Sequence, residues 1–174
     1  MRTTTPSDAN SRGLLRAAET GERVILRFVT PGDRVEFLRT RSANRRFLEP
    51  WEATVPNGAD PFGPTSFDRL LETTRTDRSL RFLICLRETG ELIGQISLGE
   101  IVRGALDSCY TGYWIAEAHT RKGLMSEALA LTVKHAFTTL KIHRVEANIM
   151  PHNGPSRSLV QRAGFRLEGV ARRY

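Results

Sequence analysis

Residues 119–129 read HTRKGLMSEAL, a turn with two cations and a glycine that runs without a break into an amphipathic pattern. A helix leaves its first four backbone N–H groups without intrahelical partners and carries about half a positive charge at that end. A turn that aims those donors outward is an anion site. Gly123 has no side chain and lets a large phosphate group approach the backbone, while Arg121 and Lys122 add full charges beside it. The chemistry that suits these residues is the binding of a pyrophosphate. A basic turn that serves only solubility has the same composition, so the stretch by itself leaves both readings open. It is neither the phosphate loop GxxxxGK[ST], which occurs nowhere in the chain, nor the GxGxxG of a dinucleotide fold.

The elements that must position this turn alternate between strand and helix. ERVILRFV at 22–29 is apolar and β-branched enough for a strand, and Thr30-Pro31-Gly32-Asp33 is a turn that can cap a helix over 33–48, where Pro50 then interrupts the pattern. Residues 54–65 hold three prolines and two glycines and read as a loop, either a mobile lid or a passive connection. SFDRLLETTR after it predicts a short helix opened by a Thr or Ser cap. From residue 80 the period changes: LRFLICLR, LIGQISLGEIV and SCYTGYWI predict three antiparallel strands, with Gly112 marking a bulge in the third. A helix follows from about Gly123 to Leu140, with Met125, Leu129, Val133, Phe137 and Leu140 on its core stripe. IHRVEANIM at 142–150 alternates as a strand, 153–163 is a second short helix, and FRLEGVA at 165–171 is a final strand. The step from SCYTGYWI through the long helix to IHRVEANIM is a βαβ crossover, so those two strands lie parallel in a mixed sheet.

Composition bounds what such a fold can serve. A chain of 174 residues suits one domain, and 40% apolar with 26% charged residues is ordinary for a soluble globular protein. No run of about 18 apolar residues predicts a membrane span. The N-terminal MRTTTPSDANSRGLLRAAETGE is polar, which argues against a secretory signal and for a cytoplasmic protein; residues 1–20 read as a flexible segment before a domain over 21–174. Cys85 and Cys109 lie in apolar stretches without metal spacing, so buried reduced thiols are favoured and no metal site is indicated. The net charge of +7 comes almost wholly from arginine and attracts anions, whether an acidic protein surface, a nucleic acid or a phosphorylated cofactor. No dense basic block or aromatic-interleaved RNA motif appears, so sequence-specific nucleic-acid binding is not expected.

Taken together, GYWIAEAHTRKGLMSEAL at 112–129 and HRVEANIMPHNGPSRSLVQRAGFRLEG at 143–169 resemble the GNAT acetyltransferase superfamily. Within it they are similar to the RimJ/RimL branch, which acetylates the N-terminal amines of ribosomal proteins. GERVILRFVTPGD and RRFLEPWE are similar to that branch's first strand and first-helix end, extending the resemblance over about residues 20–174. The resemblance implies an α/β fold: a mixed, mostly antiparallel sheet flanked by helices, with a splayed parallel strand pair that binds acetyl-CoA. The family's pyrophosphate loop falls on Thr120 to Met125, so Arg121, Lys122, Gly123, Leu124 and Met125 are the implied cofactor contacts. Thr120 and Met125 depart from the usual pattern; Met125 is an accepted variant in this branch. Tyr113 and Ile115 would pair with the pantetheine arm through their backbones, with Gly112 at the bulge. Asn153 matches the asparagine that opens the next helix and touches the arm, a position that a plain N-cap also explains. The family fold continues with another strand, so this chain is expected to lack its last strand after Arg172-Arg173-Tyr174 or to borrow one from a neighbouring chain, as in a homodimer.

The implied chemistry is direct attack of a neutral amine on a thioester, which needs an oxyanion donor, a proton for the departing thiolate and a base for the amine. A backbone N–H near Ile115 is the family's oxyanion donor. Many members use a tyrosine seven residues after the asparagine as the acid; that position is Val160 here. The branch places a serine three residues after it, and Ser156 is therefore the expected acid, with a first-turn backbone role as its alternative. An α-amine has a pKa of about 8 against about 10.4 for lysine, so an enzyme acting on N-terminal amines needs only a weak base. Glu100, Glu117 and Glu52 are candidates, though each reads more readily as a surface carboxylate. The expected acceptor is the N-terminal α-amine of a ribosomal or other protein, with a small-molecule amine as the close variant. A non-catalytic, ribosome-associated binding module of the same fold is the reading from a different class.

Overall fold

The computed structural model describes residues 17–52 and 60–172. Its strands are β1 (Ala17–Thr20), β2 (Val24–Phe28), β3 (Arg75–Thr76), β4 (Ser79–Leu86), β5 (Leu92–Val102), β6 (Ser108–Ile115) and β7 (Arg144–Glu146). Its helices are α1 (Arg34–Ala43), α2 (Arg45–Leu48), α3 (Pro64–Glu72), α4 (Leu124–Thr138) and α5 (Gly154–Arg162). The strands form one mixed sheet in the order β1-β2-β4-β5-β6-β7, with β3 pairing the start of β4. Every pair is antiparallel except β6 with β7.

Both faces of this sheet are covered, which is why β2 and β4 read as nearly continuous apolar runs. Alternate residues face opposite sides. Val24, Leu26, Phe82, Ile84, Ile96 and Leu98 pack with Leu124, Met125, Ala128 and Leu129 of α4. Ile25, Leu83 and Cys85 pack on the other face with Phe37 of α1 and Phe67 and Leu70 of α3. Cys85 and Cys109 are buried and free, and burial pushes both thiols up to about 11.

The structure corrects several expectations. The segment expected to be a flexible lead-in ends in a strand, β1, paired with β2. The helix expected over 33–48 breaks at Asn44, whose φ of −103° and ψ of 11° separate α1 from α2. Gly63, not a Thr or Ser, caps α3, and Pro64 takes the first helical position, where its missing N–H costs nothing. The bulge expected at Gly112 lies instead in β5: Glu100 and Ile101 stand between the pairs Gly99↔Tyr110 and Val102↔Ser108, against Cys109 alone, and Glu100 takes φ +47° to fit. Gly112 pairs regularly with Ser97. The buried stripe of α4 is turned from the one expected: Thr132, His135 and Ala136 are buried while Phe137 is 44% exposed. FRLEGVA forms no strand, and Leu167 and Val170 are each 70% exposed. Alternation alone does not provide a neighbouring strand to pair with. Residues 54–59, half of the loop expected over 54–65, fall outside the described residues, and the lid reading rests in part on them.

Candidate active site

The turn after β6 is built to present backbone donors. Residues 117–119 form a single 3-10 turn, Arg121 then takes φ +58° and Gly123 φ +76°, and α4 starts at Leu124. Positive φ at two positions within three residues is a conformation that an L side chain enters at a cost, and such strain is characteristic of ligand clamps. Gly123 is the N-cap and no side chain caps the helix. The first N–H groups of α4 are thus left for an incoming acceptor. Leu124 and Met125 are buried in the core, so only their backbones can serve an anion. The Thr120 hydroxyl donates back to the Glu117 carbonyl at 2.8 Å. Arg121 and Lys122 are exposed and form no ion pair among the described residues.

Arg23, at the entrance to β2, holds this turn in place. Its guanidinium donates to the Lys122 carbonyl at 2.7 Å and to Glu127 Oε2 at 3.0 Å. The backbone N–H groups of Arg23 and Val24 also donate to Glu127 Oε1, at 2.8 and 3.2 Å. Burial by itself would raise the Glu127 carboxyl, but these bonds outweigh it and hold the group below its ordinary value. The carbonyl and the carboxylate that would repel an anion at the mouth of α4 are both engaged by β2. Nothing in the spacing of the sequence pointed to Arg23.

Beside the turn the sheet opens. β6 and β7 pair only at Ser108↔Arg144, Cys109↔Val145 and Tyr110↔Glu146. Among the described residues, Thr111–Ile115 continue along β6 with no strand partner on that side, while the chain after Glu146 leaves the pairing on its way to α5. The strand expected over 142–150 is therefore only three residues long, because its second half has left the sheet. The result is a wedge between two parallel arms, closed at Tyr110 and open toward the turn. An extended arm carrying amide groups could pair with the free edge of β6, where Tyr113 and Ile115 lie. The residues present fit a ligand with a diphosphate at one end and a peptide-like arm at the other.

The two arms are bridged by side chains. The hydroxyls of Tyr113 on β6 and Ser156 on α5 meet at 2.8 Å. The Ser156 N–H donates to Asn153 Oδ1 at 3.1 Å, so Asn153 acts as an ordinary N-cap. A ring contact between Trp51, in the turn after α2, and His152 on the α5 arm has centroids 5.5 Å apart and planes tilted by 32°. Trp51 belongs to a segment tied down on the α1 side. Asn44 Oδ1 accepts from the Glu117 N–H at 2.8 Å, and Arg41 donates to Glu52 Oε1 at 2.5 Å. Arg41 is buried, with its guanidinium carbon 4.8 Å from the Phe62 ring centroid and 5.0 Å from that of Trp114. The side-chain roles of Tyr113, Trp51 and His152 were not legible in the sequence, since contacts between residues so far apart leave no mark in spacing.

The three carboxylates named from the sequence do not come together. Glu117 is exposed beside the turn, at the open end of the wedge. Glu100 is exposed at the β5 bulge, next in sequence to the residue paired with Tyr110, and forms an ion pair with Arg78. Glu52 lies beside Trp51 and is held by Arg41. Among the described residues no cluster of three or more His, Cys, Asp or Glu could hold a metal, and no helix is long and apolar enough to cross a membrane.

The pattern of the acetyltransferase (GNAT) domain matches residues 23–166, which include the wedge, the turn and the helix carrying Ser156. The chain belongs to the GNAT acetyltransferase family. It is 36% identical over 158 residues to the probable N-acetyltransferase YjcK of Bacillus subtilis, covering 88% of this chain and 86% of that protein. It is 34% identical over 157 residues to the [ribosomal protein uS5]-alanine N-acetyltransferase of Escherichia coli, covering 89% and 81%. Among solved structures, Mycobacterium smegmatis RimJ in complex with CoA-disulfide superposes with a TM-score of 0.79 at 38% identity, over 87% of this chain and 74% of that one. This GNAT protein is thus an acyltransferase whose relatives include ribosomal-protein acetyltransferases of the RimJ type.

Proposed function

We propose that this GNAT protein transfers the acetyl group of acetyl-CoA to the N-terminal α-amine of a protein, with a ribosomal protein as the favoured acceptor. The observation that carries the reading is the wedge that opens onto an uncapped helix N-terminus, with Arg23 drawing the local carbonyl and carboxylate aside. Backbone N–H groups at Gly123–Met125, with Arg121 and Lys122, would hold the diphosphate. The β6 edge at Tyr113 and Ile115 would hold the pantetheine arm, which brings a thioester toward Ser156. The similarity to RimJ-type proteins supports an α-amine as the acceptor.

Of the carboxylates, Glu52 has the best support as the base that takes the amine's proton. It follows Trp51, which stacks on His152, the residue before the cap of the Ser156 helix. A carboxylate at Glu117 would stand beside the phosphates, and Glu100, which like Glu52 is paired with an arginine, lies in solvent at the β5 bulge. An α-amine is about a tenth neutral at pH 7, so a weak base suffices.

The test is a calorimetric titration with acetyl-CoA followed by an assay of CoA thiol release. Binding on the order of micromolar, about −8 kcal/mol, is expected. Peptides with a free N-terminus should be acetylated faster at pH 7 than the same peptides blocked at the α-amine and offering only lysine. Turnover confined to small amines would reject the protein acceptor. Binding without turnover on any amine would leave a non-catalytic module.

A further inference from the structure

Tyr113 and Ser156 stand on opposite arms of the wedge. Tyr113 lies on β6 three residues beyond the last pair with β7, and Ser156 is in the first turn of α5. Their hydroxyl oxygens are 2.8 Å apart. The Ser156 backbone is fixed from the other direction by its bond to Asn153. Burial pushes the Tyr113 phenol above the ordinary tyrosine range, and the bond to Ser156 opposes that shift only in part. No charged side chain contributes to the shift. The phenol is protonated throughout the neutral range and has a proton to give.

A serine alone is a poor acid for a thiolate. A thiol has a pKa of about 8.5, whereas a hydroxyl resembles water at about 15.7. A serine that surrendered its proton would keep a charge it cannot hold, but a phenol, at about 10 unperturbed, holds one far more readily.

We propose that Tyr113 is the proton source behind Ser156, and that its phenol donates to Ser156 Oγ so that the serine's own proton points to the sulfur leaving the acetyl group. The proposal rests on the acetyl-transfer reading above. The amine nitrogen bonds to the acetyl carbon and the carbon–sulfur bond breaks. The sulfur takes the Ser156 proton and the Ser156 oxygen takes the Tyr113 proton. Water then returns a proton to the phenolate, matching the one that the amine loses to its base and the base to solvent. Tyr113 acts through Ser156, so it is a positioning and relay residue.

The experiment compares the wild type with Tyr113→Phe, Ser156→Ala and the double variant. Ultraviolet titration of the tyrosinate band, wild type minus Tyr113→Phe, should show a phenol ionising above the ordinary range. In Ser156→Ala it should ionise higher still, because the serine hydroxyl that turns to donate to the phenolate is gone; no movement would mean that the pair is not bonded in solution and would overturn the relay. Tyr113→Phe should lower kcat by about 100-fold while acetyl-CoA affinity by calorimetry stays within about twofold. Adding Ser156→Ala should cost nothing further, since both act as one unit. An acetyl thioester of an acidic arylthiol, whose thiolate leaves without a proton, should restore the variant's rate. A wild-type kcat in Tyr113→Phe, or no rescue by that donor, rejects the relay and leaves acetyl transfer standing. A wild type that acetylates no amine rejects both.

Discussion

Gly123 meets two demands that no other residue meets together. Its φ of +76° lies where L side chains are strained, and a Cβ built there would approach Arg23 Nη2 to 3.1 Å. Arg23 would have to give by a few tenths of an ångström, straining its bonds to the Lys122 carbonyl and Glu127. Gly123→Val should therefore cost about 1–3 kcal/mol in thermal or urea unfolding. It should also weaken acetyl-CoA binding more than tenfold in the calorimeter, because a displaced Arg23 frees a carbonyl and a carboxylate to face the phosphates. Unchanged affinity would show that the turn does not hold the diphosphate. The glycine itself was legible in HTRKGLMSEAL, as was the need for backbone donors. The arginine that arranges them was not, because it sits 100 positions earlier in a stretch that spacing identifies only as the start of a strand.

At the scale of elements, the chain from α1 to Glu52 would, on the proposed function, be the wall that an acceptor passes. It is fastened at Asn44 to the turn, at Arg41 to Glu52 and at Trp51 to His152. Trp51 meets His152 just before the helix that carries Ser156, whereas the turn is held by Arg23, whose partners are Lys122 and Glu127. Trp51→Ala should raise KM for the peptide acceptor about tenfold and leave acetyl-CoA affinity unchanged; a matched loss of cofactor affinity would place Trp51 on the wrong side of the site. β4, β5 and β6 were legible almost to the residue, β4 because burial on both faces writes a nearly continuous apolar run and β5 and β6 because apolar residues recur at short period between turn signals. β7 and residues 165–171 were not, since their alternation is equally strong whether or not another strand lies beside them. The break at Asn44 was hidden for a similar reason: its φ and ψ follow from side-chain bonds to Thr40 and Glu117, contacts that local propensity does not encode.

In the molecule as a whole, β2 is the strand that binds the two helical layers together. On one face Glu127 of α4 receives Arg23, and on the other Asp33, at the entrance to α1, receives both terminal nitrogens of Arg27 at 2.9 and 2.7 Å. Burial would raise the Asp33 carboxyl, but the Arg27 guanidinium and the Thr30 N–H and hydroxyl outweigh it and lower the group below its ordinary 3.8. Glu127 is likewise held below its ordinary 4.5. The folded protein thus binds fewer protons than the unfolded chain once the pH drops to these ordinary values, and the stabilisation lasts only while both groups stay ionised. It is present in full above about pH 5 and drains away as the pH falls through the ordinary values toward the lowered ones. Urea unfolding from pH 7 to pH 3 should show the wild type losing stability steeply below about pH 4.5. An Asp33→Asn, Glu127→Gln variant should begin lower at pH 7 and follow a flatter curve, so that the gap between the two narrows toward pH 3. Parallel curves would mean that these carboxylates do not couple the layers, and the acid response would then belong to the carboxylates of the surface.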